Sequence, residues 1–384
     1  MPSASDLIAQ ADHAAAAGDL LQAQAFLVEA AEDSDDANVL LKLASIQRAT
    51  GHPEFALATV HRALALDPLN FTALLMRASL LDRLGHAEAA EAWSNAIAQK
   101  PSGDLPAGIA QAISQGERRV AEWQDARDVQ LRTVMLEAER QADDEIRGRL
   151  QRFRNNVLRR TRAYHSEPTH FHYPGLVEHE FHPRRLFPWI GALEAAFDEI
   201  LSEFRTVMTA ERAELVPYIQ YDEHRPLDQW RPLNKSRNWT AIHLLQNGER
   251  IEANARHCPR TMEMLTHCDQ PQVGGASPNA MFSLLAPNTA IPPHVGVNNA
   301  RLVCHLPLIV PAGCWFRVGD ETRYWEPGHA FVFDDTIEHE AANPSDELRV
   351  VLIFDTWRPE LQAVERRAIA AAVEAETRGP EAGL

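Results

Sequence analysis

The amino-acid sequence predicts an α+β multidomain protein, in which an N-terminal α-helical solenoid precedes a C-terminal β-barrel. Residues 1–101 repeat with a period typical of paired helices. From about Pro174, short β-like runs separated by turn residues replace the helical pattern. The stretch between them contains few helix breakers and reads as further helix. We therefore expect a repeat region at 1–104, a helical linker region at 105–173 and a β-rich domain at 174–384.

Glycine, alanine and proline mark the repeat at regular positions. Gly18, Gly51 and Gly85 are separated by 33 and 34 residues. Small residues follow them at nearly constant offsets, and prolines end the second and third units: Ala23, Ala56, Ala90, Ala30, Ala63, Ala96, Pro68 and Pro101. The pattern resembles the tetratricopeptide repeat, because glycine permits the turn between two helices and alanine lets them approach closely. Such solenoids bind peptides or proteins on a concave face, and a role as a cap or dimerisation element is equally compatible.

Composition bounds the partners and the location of the protein. Hydrophobic residues make up 45% of the chain and the formal net charge is −17. An acidic chain is a poor general binder of nucleic acid or anionic membrane. The seven arginines between Arg147 and Arg162 are better explained as a solvated helix face, or as partners of the acidic repeats. The sequence shows no apolar run long enough to span a bilayer and no secretion signal at its start, so we expect a cytoplasmic protein.

The β-rich region contains a helix followed by five β-like runs. They are a helix at Pro188–Met208, then Trp239–Leu245 with the hairpin signal Asn247-Gly248, Ala280–Leu285, Arg301–Val310, Ala330–Phe333 and Leu348–Phe354. Strand alternation divides Arg301–Val310 into two faces. One face carries Arg301, Val303, His305, Pro307 and Ile309, and the other carries Leu302, Cys304, Leu306, Leu308 and Val310. A strand with a charged residue and a histidine on one face is typical of the wall of a site.

Two histidines and an arginine carry most of the functional information. His294 lies in Pro-Pro-His-Val-Gly, His339 follows it by 45 residues, and Arg349 follows by ten more. This order and spacing fit a small β-barrel that holds one iron between two imidazoles. Arg349 lies among apolar neighbours in its strand, so it needs an anion, and a carboxylate suits a guanidinium. Iron(II) sites usually add one carboxylate ligand two residues after the first histidine, where this chain has Gly296.

Further motifs occur in order between about Phe181 and Leu361. They are Phe187-Pro-Trp189, Trp239, Asn254, Cys258-Pro-Arg-Thr261, Phe282-Ser-Leu-Leu-Ala-Pro287, Pro293-His-Val-Gly296, Asn299-Ala-Arg-Leu-Val-Cys-His305, Gly313-Cys314, Trp325-Glu-Pro-Gly328, Phe333-Asp-Asp-Thr-Ile-Glu-His-Glu340 and Asp355-Thr-Trp-Arg-Pro-Glu-Leu361. The set resembles the aspartyl/asparaginyl β-hydroxylases, a branch of the 2-oxoglutarate-dependent oxygenases, over roughly half of the chain. Members of that family have glycine at the position of the missing carboxylate ligand, and in many of them a tetratricopeptide-like region comes first.

The resemblance implies a fold and a set of roles. The fold would be a double-stranded β-helix, that is, a jelly-roll or cupin-like barrel. The resemblance implies the following residues: His294 and His339 as Fe(II) ligands, Ser283 and Arg349 at the distal carboxylate of 2-oxoglutarate, His305 and Trp239 lining the co-substrate pocket, and Arg301 near the substrate side chain. A second arginine of the animal enzymes is replaced by Val303. Asp334, Asp335 and Glu338 are candidates to orient the metal-binding imidazoles.

The expected function is Fe(II)- and 2-oxoglutarate-dependent hydroxylation, with O2 consumed, of an Asp/Asn-type side chain in a peptide or protein. The repeats would then bind a protein partner or the substrate itself. Two alternatives remain open at this point. One is a related hydroxylase of a small molecule or lipid, and the other is a catalytically inactive adaptor built on the repeats.

Overall fold

The computed structural model describes residues 3–32, 35–210, 214–222, 224 and 227–377. The last residues of the predicted β-rich domain, 378–384, lie outside the described part. The chain forms two compact units, Met1–Leu158 and Arg159–Leu384. Each unit is built around its own buried apolar side chains.

The first unit begins with antiparallel helix pairs. Its helices are α1 (Ala4–Ala16), α2 (Leu20–Ala30), α3 (Ala37–Ala49), α4 (Pro53–Leu66), α5 (Phe71–Arg83), α6 (Ala89–Ala98), α7 (Ala107–Gln141) and α8 (Asp144–Val157). Gly18, Gly51 and Gly85 lie in the turn within each of the first three pairs with φ of 83°, 85° and 71°. L-residues with a side chain rarely adopt this conformation, which explains the choice of glycine. The predicted tetratricopeptide-like architecture is confirmed.

Local sequence explains where these helices begin and how closely they pack. The side chains of Ser3, Asp19 and Asn70 accept backbone N–H groups in the first turns of α1, α2 and α5. These caps satisfy donors that a helix start leaves unpaired. The six predicted small residues are all buried: Ala23, Ala30, Ala56, Ala63, Ala90 and Ala96. Their lack of bulk lets the paired helices lie in contact.

The basic run between Arg147 and Arg162 includes α8, which follows α7 as a second long helix. Arg154 is buried and forms ion pairs with Asp128 at 3.0 Å and Glu139 at 2.6 Å, both on α7. This arginine therefore pairs with acidic side chains of the preceding helix, which lies outside the predicted repeats at 1–104.

The second unit combines five helices with two antiparallel sheets. The helices are α9 (Ile190–Ala195), α10 (Phe197–Thr209), α11 (Glu252–Ala255), α12 (Pro259–Leu265) and α13 (Ala363–Thr377). The strands are β1 (Val216–Pro217), β2 (Trp239–Gln246), β3 (Glu249–Arg250), β4 (Ala280–Leu285), β5 (Thr289–His294), β6 (Arg301–Ile309), β7 (Trp315–Val318), β8 (Glu321–Tyr324), β9 (Phe331–Phe333), β10 (His339–Asn343) and β11 (Arg349–Trp357). The 7-stranded sheet has the order β1-β2-β4-β11-β6-β9, with β3 paired to β2, and the 4-stranded sheet has the order β5-β10-β7-β8.

The two faces of the larger sheet have different environments. One face packs against α9, α10 and α12 through buried residues such as Leu193, Phe204, Phe282 and Leu352. The opposite face contributes to a second cluster that also contains Ile291 and Phe316 of the smaller sheet. The side chains between the two sheets are therefore those that can form an internal site.

The predicted alternation along β6 is confirmed for most of its length. Leu302, Cys304, Leu306 and Leu308 pack against the helices, whereas Val303 belongs to the cluster between the sheets. The prediction is wrong at the end of the strand, where Ile309 packs with the helix-side cluster and Val310 with the other. The β6–β11 register shifts between Val350 and Val351, and such a bulge reverses the faces beyond it. Within the described residues, no helix combines the length and hydrophobicity needed to cross a membrane.

The contact between α6 and α7 gives a test of the helical unit. A Cβ atom added at Gly116 would lie 2.4 Å from Cε3 of the buried Trp93, whereas one added at Gly108 on the same helix meets nothing within 4 Å. We expect Gly116→Ala to lower the free energy of unfolding by about 1–3 kcal/mol through overpacking. Gly108→Ala should leave it unchanged or raise it by up to about 1 kcal/mol, through helix propensity alone. Chemical unfolding of the full chain, followed by circular dichroism, measures both, and equal values for the two variants would contradict the packing shown here.

Candidate active site

The pairing of β5 with β10 brings two histidines together. His294 ends β5, His339 begins β10, and the two are register partners in the antiparallel ladder. Their ring centroids lie 4.0 Å apart. The Nδ1 atom of His294 is 2.8 Å from the carbonyl oxygen of Pro292, and that of His339 is 3.1 Å from the carbonyl oxygen of Ile337. A carbonyl oxygen only accepts, so each Nδ1 carries the proton and each Nε2 keeps a lone pair for a ligand.

These hydrogen bonds decide how the imidazoles are oriented. The carbonyl groups of Pro292 and Ile337 hold the rings, so the prediction that Asp334, Asp335 or Glu338 would do so is wrong. A backbone carbonyl group two residues earlier is close to the ring through the chain itself, whereas a side-chain carboxylate must be brought there by the fold. Burial lowers the pKa of His294 and lowers that of His339 well below its ordinary value. Both rings are therefore neutral at neutral pH, which is the form that binds a metal ion.

The environment of Gly296 explains why this position has no side chain. A Cβ atom at this position would lie 2.2 Å from Oδ2 of Asp335 and 2.4 Å from its Cγ. The Asp335 carboxylate therefore fills the space that a side chain at residue 296 would occupy. Backbone contact reinforces this arrangement, because the Gly296 amide donates to the Asp335 carbonyl oxygen at 2.6 Å. Asp335 itself is 7% exposed, and its Oδ1 has no hydrogen-bond partner among the described residues.

The histidines open into a cavity of about 310 Å³ lined by side chains from both sheets. All predicted site residues lie on it, namely Trp239, Ser283, His294, Arg301, His305, His339 and Arg349. Over the described part of the chain, no group of three or more His, Cys, Asp or Glu side chains is arranged to hold a metal ion. A metal centre in this cavity would therefore depend on the two imidazoles.

Arg349 is a buried cation at one end of the cavity. Its side chain is 1% exposed, and its Nε atom lacks a hydrogen-bond partner within the described residues. Its guanidinium carbon lies 4.6 Å from the centre of the Trp325 ring. Burial lowers the pKa of Arg349 to about 10, so the group still carries its charge at neutral pH. A buried cation without a carboxylate is costly, and an anionic ligand would offset that cost.

Other polar groups near Arg349 have unused hydrogen-bonding capacity. The Nδ1 atom of His305 and the Nε1 atom of Trp325 are buried and have no partner among described residues. Ser283 is fully buried, and its Oγ accepts the Trp239 indole N–H at 3.0 Å. The Ser283 hydroxyl proton is therefore free to be donated elsewhere. Burial and the Arg349 charge hold the pKa of His305 well below its usual range, so its ring is neutral.

Arg301 begins β6 and lies beside the end of β11 that is farther from Arg349. Arg301 is the register partner of Trp357 at the end of β11, whereas Arg349 begins that strand and pairs with Leu285. The Nη2 atom of Arg301 donates to Oδ2 of Asp335 at 2.9 Å. The cavity thus has an arginine near each end, one without an anion and one already paired.

Aromatic residues that sequence reasoning missed cover the histidines. Tyr218 stacks on Trp239 with ring centroids 3.8 Å apart, and the Trp230 ring lies 5.0 Å from that of His294. Tyr218 and Trp230 lie outside the long strands, in a part of the chain with no periodicity to interpret. Their aromatic character was the available signal, and it does not distinguish a site from a core.

A buried ion pair supports the segment that carries Asp335 and His339. The side chains of Arg358 and Asp334 are both 0% exposed and are bonded to each other. Arg358 also donates to the carbonyl oxygen of Val177 at 2.7 Å, and Asp334 accepts the backbone N–H of Thr336 at 3.0 Å. These bonds fix the connection between β9 and β10, and so the point at which His339 enters the sheet.

Comparison with known proteins identifies the family that this site resembles. Residues 194–359 match the family model for aspartyl/asparaginyl beta-hydroxylase. The chain is 32% identical to aspartate beta-hydroxylase domain-containing protein 2 of Xenopus tropicalis over 209 residues, which cover 53% of this chain and 54% of that protein. It is 30% identical to human aspartyl/asparaginyl beta-hydroxylase over 191 residues, which cover 48% of this chain and 24% of that protein. The resemblance predicted from the motifs is confirmed.

These relatives match only part of this chain, and the chain spans about half of one relative and a quarter of the other. The helical unit resembles solved repeat structures such as the Sgt2 TPR domain of Aspergillus fumigatus. That likeness has a TM-score of 0.29 and 19% identity, and it covers 33% of this chain and 83% of that one. The tetratricopeptide-like architecture is shown by the helix pairs of the first unit and by the glycines in their turns.

The Arg358–Asp334 pair gives a test of the site's support. We expect Arg358→Met to lower the free energy of unfolding by about 3–5 kcal/mol, because it leaves the Asp334 carboxylate buried without its partner. Arg250→Met is the matched control, since it removes an ion pair with Glu252 whose side chains are 46% and 69% exposed. Such exposed pairs contribute little to stability. Thermal unfolding of both variants checks this, and a loss no larger than that of the control would show that the buried pair does not support the fold.

Proposed function

We propose that the second unit is an Fe(II)- and 2-oxoglutarate-dependent hydroxylase that acts on an Asp/Asn-type side chain of a peptide or protein. The observation that carries this proposal is the buried, unpaired Arg349 in the same cavity as two imidazoles with free Nε2 atoms. An anion site and a metal site in one enclosed cavity fit a co-substrate that has a carboxylate at one end and a chelating group at the other. The match to the aspartyl/asparaginyl β-hydroxylase family supports the reaction class.

The fold proposed for this unit is a double-stranded β-helix of the jelly-roll or cupin-like kind. Its two antiparallel sheets share one buried cluster, and His294 and His339 come from adjacent strands of the smaller sheet. The donor set suits a hard-to-intermediate divalent ion, because imidazole is a common ligand of non-haem Fe(II). Bound Fe(II) would supply the activation of O2 that oxidation of an unreactive C–H bond requires. Water or co-substrate would fill the positions that the protein leaves open.

The protein's own part in co-substrate binding follows from the groups around Arg349. The guanidinium would bind the distal carboxylate of 2-oxoglutarate, and the Ser283 hydroxyl would donate to the same group. The Trp239 indole N–H already occupies the Ser283 oxygen, so the serine proton points away from that bond. Trp325 lies against the Arg349 guanidinium and offers one more buried N–H. Charge-assisted hydrogen bonds of this kind, in a buried pocket, are stronger than neutral ones.

The overall reaction is balanced without another reductant. One substrate C–H bond, one O2 and one 2-oxoglutarate give one C–OH bond, one succinate and one CO2. The aromatic side chains of Tyr218, Trp230 and Trp239 would keep bulk water away from the histidines. Exclusion of water strengthens every electrostatic contact in the cavity and limits side reactions.

The inactive-adaptor alternative is less consistent with the cavity. A barrel kept only as a scaffold would gain stability by pairing or replacing a buried, unpartnered arginine. Arg349 has instead kept its charge beside other unsatisfied polar atoms, which is expected of a ligand site. The repeats remain candidates for holding a protein partner or the substrate peptide.

Loss of the imidazoles should abolish co-substrate turnover. We expect His294→Ala and His339→Ala to lose succinate formation from 2-oxoglutarate, measured on the full chain with Fe(II), ascorbate and O2. The matched control is His329→Ala, which removes a histidine whose side chain is 68% exposed and which does not line the cavity. Turnover that persists in both site variants would show that the metal site has been misassigned.

Arg349 should behave as a ligand-binding residue and not as a structural one. We expect Arg349→Gln to leave the unliganded protein at least as stable as wild type, because an unpaired buried charge is removed. The variant should also lose the rise in thermal midpoint that 2-oxoglutarate with Mn(II) produces in the wild type. At a ligand concentration one hundred times its Kd, that rise corresponds to about 2.7 kcal/mol. Marked destabilisation without ligand, or a thermal rise equal to that of the wild type, would contradict the anion-site assignment.

A further inference from the structure

The end of the cavity away from Arg349 has an unusual charge arrangement. Among the described residues that line the cavity, the Asp and Arg side chains are Arg301, Arg349, Asp335 and Asp355. Arg349 belongs to the opposite end and is taken up by the co-substrate in the proposed function. The other three lie near one another at the Arg301 end of the cavity, and together they include two acids and one base.

Arg301 is already neutralised by a carboxylate. Its Nη2 atom donates to Oδ2 of Asp335 at 2.9 Å, and the two side chains are only 20% and 10% exposed. Asp335 is held in place in two ways. Its carboxylate fills the space beside Gly296, and its backbone carbonyl oxygen accepts the Gly296 N–H. A substrate carboxylate would therefore have to compete with a fixed internal carboxylate for the same guanidinium.

Asp335 also offers an acceptor that nothing in the described chain uses. Its Oδ1 atom is buried and has no hydrogen-bond donor among the described residues, and the Asp335 residue lines the cavity. A buried acceptor without a donor costs free energy, which a ligand N–H group would recover. The Arg301–Asp335 pair thus presents a donor beside an acceptor, which is the complement of a primary carboxamide.

Asp355 adds a second fixed negative group. It is 3% exposed and lines the cavity, on the strand position that pairs with Val303 of β6. It accepts hydrogen bonds from Ser277, from the backbone N–H and side-chain amide of Asn279 at 3.0 and 3.2 Å, and from Gln270 at 3.3 Å. Its bonds are satisfied, so it repels an incoming carboxylate without offering a place for it. Val303, between Arg301 and His305 on the same face, contributes no charge.

We propose that this site selects a side-chain carboxamide over a carboxylate, so that its preferred substrate residue is asparagine and not aspartate. The amide nitrogen would donate to Oδ1 of Asp335, and the amide oxygen would accept from Arg301. An aspartate would lose the first bond and place a third acid beside Asp335 and Asp355. This inference depends on the proposed hydroxylase function, since it concerns the substrate of the same cavity.

The test uses two synthetic peptide pools with randomised flanking residues that differ only in a central Asn or Asp. The full chain is supplied with Fe(II), 2-oxoglutarate, ascorbate and O2, and mass spectrometry measures the gain of one oxygen atom at the central residue. Succinate is measured in parallel, with and without peptide. We expect the Asn pool to react at least about tenfold faster than the Asp pool, since like charges placed together at a binding site cost several kcal/mol.

Two variants test the cause of the preference independently. Asp335→Asn removes the competing carboxylate and should release Arg301 for a substrate carboxylate, so that the Asn preference falls sharply. Val303→Arg adds a cation beside Asp355 and should raise turnover of the Asp pool, whereas Val303→Met, its uncharged control, should not. If Asp335→Asn fails to fold, the comparison of Val303→Arg with Val303→Met still decides the question. Co-substrate binding shows whether each variant is folded.

Each outcome bears on the inference. Preference for Asn that declines in either charge variant supports it. Equal rates on both pools, preference for Asp, or an Asn preference unchanged in both charge variants would overturn it. If neither pool gains oxygen while histidine-dependent succinate formation persists, the inference is overturned and the hydroxylase proposal stands. If no succinate forms under any condition, the proposed function fails and the inference fails with it.

Discussion

The antiparallel register between β5 and β10 is the constraint on which the candidate site depends. That register makes His294 and His339 partners, and the carbonyl groups two residues earlier, of Pro292 in β5 and of Ile337 just before β10, fix both rings. A shift of one residue would turn one imidazole to the opposite face of the sheet. β5 can contain Pro292 and Pro293 because it lies at the edge of its sheet, where a missing N–H breaks no further ladder. The carbonyl group of Pro292 then orients the ring of His294.

Charge divides the cavity into two ends that sequence spacing alone does not reveal. Arg349 and Arg301 come from opposite ends of the β6–β11 pair, and their surroundings differ. Arg349 has aromatic and hydroxyl neighbours but no carboxylate, whereas Arg301 is bonded to Asp335 and lies within the field of Asp355. In a buried site such differences decide which ligand can enter, because water cannot screen them. A guanidinium without an anion favours an anionic ligand, and a neutralised one favours a polar, uncharged group.

Sequence reasoning located the long strands and the main site residues, and its failures have identifiable physical causes. β2, β4, β6 and β11 were recognised because they are rich in branched and aromatic residues and are long enough to show alternation. β5 and β10 were missed, since one contains two prolines and the other reads His-Glu-Ala-Ala-Asn, which has little strand propensity. Their pairing comes from tertiary contacts with stronger strands. The Arg301–Asp335 bond and the stacking of Tyr218 on Trp239 likewise join residues distant in sequence, which no local pattern encodes.

The position of the Asp335 carboxylate connects the surroundings of Gly296 with those of Arg301. A side chain at residue 296 would collide with the Asp335 carboxylate, since its Cβ atom would lie 2.2 Å from Oδ2 of Asp335. Here the acid comes from residue 335, in the segment that the buried Asp334–Arg358 pair holds between β9 and β10. From there its Oδ2 bonds to Arg301, while its buried Oδ1 has no hydrogen-bond partner among the described residues. Glycine at 296 is therefore required by packing, and in the proposed enzyme the acid that packs against it would contact the substrate. In the proposed enzyme, two features follow from having the acid at residue 335 and not at residue 296. One is the absence of a third protein ligand for the metal, and the other is the selection of an amide side chain.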